Sequence, residues 1–146
     1  MGRRDVEASL RSAYGLHRRG LRMAYFPDLS PYTYFPPRWN EHVGDGPLLN
    51  IGWLDVAHPF TTFPDGVPVP VPAGFLDRLR GLPRSMATRG WHRCPFCAGG
   101  PSGSAELRVA GPDGTVYAAP TLLIHYVEVH GYAPPPEFIE AVMASR

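Results

Sequence analysis

Residues 90–100 read GWHRCPFCAGG and hold both cysteines of the chain, Cys94 and Cys97, two residues apart. A C-x2-C turn presents two thiols side by side, so it supplies half of a metal site or a redox dithiol. Soft or imidazole ligands for the other half stand downstream, where PTLLIHYVEVHG (residues 120–131) spaces apolar residues as a helix does and carries His125 and His130. Between the two halves, SAELRVAGPDGTVYAAP (residues 104–120) alternates Ala105, Leu107 and Val109, turns at residues 111–114 and returns through Val116 and Ala118. That is the pattern of a β-hairpin. For all four side chains to meet, a hairpin and a helix must fold back onto the cysteine turn.

The order C-x2-C, hairpin, helix with H-x4-H resembles the Cys2His2 zinc-finger arrangement, in which histidines three to five residues apart complete a tetrahedron. The resemblance implies Zn²⁺ held by Cys94, Cys97, His125 and His130. The spacer departs from the finger pattern, with 27 residues between Cys97 and His125 against roughly 12–15 in nucleic-acid-binding fingers. Histidines five apart on an ideal helix point about 140° away from each other. His130 therefore belongs in a loosened last turn, which Gly131 permits. His92, two residues before Cys94, competes with it for the fourth position.

Other chemistry is weaker on the residues. CPFC looks like the dithiol of glutaredoxins, but AGGPSGS follows it, and that segment cannot continue the helix needed to lower a thiol pKa. A catalytic zinc would use three protein ligands and a water, with Glu128 or Glu106 as general base. The deaminase signature requires an H-x-E before its cysteine pair, and none precedes WHRCPFC. Asp55 and His58 in WLDVAHPF form another candidate acid–base pair, read more simply as a turn residue and a capped histidine.

Composition bounds the rest. The 146 residues fit one domain able to bury a core. No apolar run reaches the roughly 20 residues of a membrane span, and the N-terminus lacks the apolar region of a secretory signal. A cytoplasmic protein is expected, its cysteines thiols or metal ligands. All 14 basic residues are arginine, which suggests a bacterial genome of high GC content. Sixteen glycines and eighteen prolines, well above the roughly 12% usual for the pair, call for short elements joined by turns.

Residues 1–22 hold six arginines against Asp5 and Glu7, so a chain of net charge +1 has a mildly acidic body. They read as a basic extension, helical or flexible, with a thin stripe of Val6, Leu10 and Tyr14. The single zinc-binding domain then spans 23–146. Residues 25–39, with six aromatics and four prolines, read as an ordered but irregular ribbon. LLNIGWLD (48–55) reads as a half-buried strand with Leu49, Ile51 and Trp53 on one face. AGFLDRLRGL (73–82) reads as a short helix with Gly81 as its cap, and EFIEAVMAS (137–145) as a final helix with Phe138, Ile139 and Val142 inward.

The run YFPDLSPYTYFP, NIGWLDVAHPF, CPFC, GSAELRV and YAAPTLLIHYVEVHGYAPPPEF resembles an uncharacterised bacterial family of small stand-alone proteins. The resemblance covers residues 24–142 and implies one folding unit without implying any catalytic role. The expected fold is α+β: a short antiparallel sheet closed by a hairpin–helix unit around zinc. The expected function is that of a non-enzymatic accessory or adaptor protein binding another protein through Tyr32, Tyr34, Phe35 and Trp39 or through the arm. The alternatives are nucleic-acid binding through the arginines and zinc-dependent hydrolysis. Against nucleic acid, the helix TLLIHYVEVH offers no arginine for phosphates or base edges.

Overall fold

The hairpin expected around Gly-Pro-Asp-Gly forms the centre of the sheet. In the computed structural model, which describes residues 25–33, 46–63, 71–85, 92–98 and 100–145, β5 (Glu106–Ala110) pairs antiparallel with β6 (Val116–Pro120). Leu107 lies opposite Ala119 and Val109 opposite Tyr117. These four share the face that packs on the helices, while Val116 and Ala118 lie on the other face. Both faces are buried along β5 and β6, so the alternation in the sequence does not mark an exposed side.

The sheet runs β1-β6-β5-β2 and is mixed. Its antiparallel part is the expected one, with β2 (Arg84–Ser85) on the far edge of β5. The addition is β1 (Leu48–Asn50), which lies parallel to β6. This strand is shorter than 48–55 because the chain turns through Gly52 at φ 72°. Trp53 follows, its indole N–H donating to the Ala118 carbonyl at 3.0 Å, and all residues from Asn50 to Leu54 are buried.

The ribbon shields the open edge of β1. Its amides and carbonyls exchange hydrogen bonds with Trp53, Asn50 and Leu48 over residues 26–32, which leaves no bare strand edge there. Asp28 ties the ribbon to the body: its carboxylate accepts the Gly52 amide at 2.8 Å and the Tyr132 hydroxyl at 2.6 Å. Burial, with Asp28 adding to it, pushes the Tyr132 phenol far above its ordinary pKa, so it stays a donor. Tyr32 is also drawn inward. Its hydroxyl donates to Glu106, and the Arg108 guanidinium lies over its ring.

Among the described residues three helices cover the inner face: α1 (Phe75–Gly81), α2 (Leu123–His130) and α3 (Pro136–Ala144). Phe75 and Leu79 of α1 meet Phe138 of α3, whose ring also packs edge-on against Tyr117. Gly81 ends α1 as its last helical residue, not as its cap. Leu82 is the cap, and it is extended because Pro83 follows and disfavours the helical conformation before it. Likewise Pro120 closes β6 instead of opening the next helix. No helix among the described residues is long and apolar enough to cross a membrane. The expected extension 1–22, and with it Tyr34, Phe35 and Trp39, lies outside the described residues.

Candidate metal centre

The cysteine turn is held by a small ladder of its own. β3 (His92–Arg93) pairs antiparallel with β4 (Ser102–Gly103), and the Cys94 amide donates to the Pro101 carbonyl at 3.1 Å. Residues 94–98 and 100 belong to the knuckle between them. Phe96, inside the C-x2-C pair, anchors it: its ring packs edge-on against Phe60 and Tyr126 and tilts over His130. Gly100 closes it. A Cβ built there would sit 2.5 Å from the Cys97 Cβ, so no side chain fits without moving that cysteine. Gly100→Ala is therefore expected to weaken metal retention at least tenfold in a competition titration with a chromophoric chelator. Unchanged retention would show that the knuckle yields freely.

The helix supplies the facing pair. α2 ends in a widened turn, with the amides of Gly131 and Tyr132 both reaching back to the Tyr126 carbonyl and Gly131 at φ 66°. A carbonyl accepting from five and six residues ahead is looser than the four of a regular helix. That loosening turns the His130 ring toward His125, their Nε2 atoms 3.2 Å apart.

The four side chains named from the sequence meet at one point. Cys94 Sγ lies 3.3 Å from His130 Nε2, and Cys97 Sγ lies 3.1 Å from His130 Nε2 and 3.4 Å from His125 Nε2. All four ligand atoms fall within 4.8 Å of one another. With metal bonds of about 2.0–2.1 Å to nitrogen and 2.3 Å to sulfur, a tetrahedron has N···N edges near 3.3 Å and N···S edges near 3.6 Å. The N···N and N···S distances given above are up to about half an ångström shorter, so an outward relaxation of those pairs admits an ion. The group can hold a metal ion.

Local electrostatics favour that use. Burial pushes the Cys94 thiol up, so without a cation it remains protonated, whereas an ion would take it as thiolate. Burial first, and His130 second, hold the His125 imidazole below its ordinary pKa, which keeps it in the neutral form that ligates. Among the described residues His92 does not join the group; it pairs with Gly103 in the ladder. The redox reading loses its main requirement too, since turns and a bend, not a helix, follow Cys94.

The two candidate general bases are engaged elsewhere. Glu106 is buried in an ion pair with Arg108 and accepts the Tyr32 hydroxyl. Glu128 pairs with Arg80 of α1. Asp55 and His58 do contact each other, at 2.7 Å, but the same Asp55 oxygen accepts the Ala57 and His58 amides, and Tyr25 stacks on the imidazole. That is a turn with a docked ring. Sequence reasoning passed over Phe96 and Asp28, although CPFC and FPD both display them.

Fold and site define a small α+β domain with a Cys2His2 group able to bind a metal ion. A family model described as a domain of unknown function (DUF7919) matches residues 24–143, and the chain belongs to that family. No curated protein and no solved structure matches it.

Proposed function

We propose that Cys94, Cys97, His125 and His130 bind one Zn²⁺ as a structural ion and that the protein is a non-enzymatic adaptor, binding another protein in a bacterial cytoplasm. The carrying observation is that four ligand atoms from two separate elements lie within 4.8 Å of one another, enough to fill a tetrahedral shell. Two thiolates and two imidazoles in tetrahedral array suit zinc. A closed first shell leaves no position for a reacting water. Such an ion fixes the knuckle to α2 without entering chemistry.

The aromatic ribbon contributes less to the partner surface than its sequence suggests, because Tyr32 is half-buried against Glu106 and Arg108. Tyr34, Phe35, Trp39 and the arginines of residues 1–22 remain the proposed partner-binding groups.

Replacing the metal with Co²⁺ tests the closed shell. The expected spectrum is that of four-coordinate cobalt with thiolate charge transfer, unchanged when azide or cyanide is added. A spectral shift on adding azide would open the fourth position and favour the hydrolase. Binding of a DNA duplex at low salt, where phosphate contacts are strongest, would instead install the nucleic-acid reading.

A further inference from the structure

Beside the metal centre, a cleft of about 500 Å³ opens between the end of α1, the strand β4 and the first turn of α2. Its size is that of a small-molecule site. Its lining includes Arg80 and Arg84, the hydroxyl residues Ser102, Ser104 and Thr121, and Glu128. Two guanidiniums with five donors each, facing three hydroxyls, make a site rich in donors. Arg80 is already paired with two carboxylates, Glu128 through one nitrogen and Asp77 at 3.3 Å through another. Arg84 is exposed, holding the Leu82 carbonyl through one nitrogen at 2.8 Å, which leaves the rest of its fork to a ligand. The α2 end at the cleft has no side-chain cap on its first turn. Leu122 and Ile124 add an apolar wall.

We propose that this cleft binds a small phosphate monoester, its phosphoryl group between Arg84 and Arg80 and its organic part against Leu122 and Ile124. A phosphoryl group fits better than a carboxylate because it offers three acceptor oxygens and close to two negative charges, and arginine forks match phosphate in bidentate fashion. Glu128 and Asp77 both compete for Arg80, so they moderate affinity. The cleft shares His125 with the metal group, so the metal-bound fold shapes one of its walls.

The test is calorimetric titration of the full, metal-loaded chain with phenyl phosphate, benzoate and inorganic phosphate. Phenyl phosphate is expected to bind saturably and at least tenfold more tightly than either of the others, and more tightly at low salt. Arg84→Ala is expected to weaken it at least tenfold, whereas Glu128→Gln, by removing one of the two carboxylates on Arg80, is expected to tighten it severalfold. Both residues are exposed, and an unchanged melting midpoint will show that each variant is folded. Absence of saturable binding, or equal affinity in wild type and Arg84→Ala, would overturn the site. Benzoate binding as tightly as phenyl phosphate would overturn the phosphoryl assignment, and inorganic phosphate doing so would overturn the role of the apolar wall.

Discussion

Removing the metal with a strong chelator is expected to lower the melting midpoint of the full chain by about 20 °C or more. A structural zinc contributes on the order of 10 kcal/mol to folding, and a chain of this size loses roughly 2–4 °C per kcal/mol. The loss should be local in origin. Short ladders such as β3–β4, two residues to a strand, bury little and on the zinc proposal would depend on the ion to hold the knuckle against α2. The sheet centre has its own core in Leu107, Val109, Tyr117 and Phe138. Hydrogen exchange should accordingly rise first at residues 92–98 and 100–103, and restoring zinc should reverse both changes. A midpoint that moves by only a degree or two would mean that the four side chains do not share a structural ion.

Arg108→Met is expected to destabilise the protein by about 3–5 kcal/mol, the cost of leaving one member of a buried ion pair behind. The Glu106 and Arg108 side chains are 3% and 2% exposed, with Arg108 NH2 3.1 Å from Glu106 Oε2. Tyr32 donates to both carboxylate oxygens, at 2.8 and 3.0 Å, but it supplies a single proton and no charge. Denaturant unfolding measures the loss directly. Replacing both members, as Glu106→Leu with Arg108→Met, removes both buried charges and should recover most of the loss. A single variant within about 1 kcal/mol of wild type would show that the pair is replaceable by its surroundings.

What the sequence disclosed followed the range of the interactions involved. The β5–β6 hairpin and the helices have local causes: alternation, a Gly-Pro-Asp-Gly turn, apolar residues three and four apart, and stops at Pro83 and Gly131. The metal group was legible for a related reason. Cysteines and histidines are few enough that spacing alone paired Cys94 and Cys97 with His125 and His130, and the strained separation of the histidines even required the widened turn that α2 shows.

The parts that were not legible depend on distant partners. β1 joins β6 in parallel, with Leu48 opposite Val116, and nothing near Leu48 announces a partner 68 residues away. Glu106 and Arg108 sit in a strand as charged residues that ordinarily face water. They are buried because Tyr32 and the ribbon cover that face, a contact across 74 residues. Gly81 as helix cap was displaced by a neighbour, since Pro83 forces Leu82 into the extended conformation that ends the helix. Asp28 carries no local signal of its role, since only the fold brings Tyr132 to its carboxylate.

Zinc held by all four side chains is open to direct measurement. The most direct measurement is zinc per chain on purified protein, by native mass and elemental analysis, for wild type and His130→Ala. One zinc per wild-type chain, lost or much weakened in the variant together with its melting midpoint, is the predicted result. A wild-type chain without zinc, or a variant that keeps its zinc with an unchanged midpoint, would contradict it.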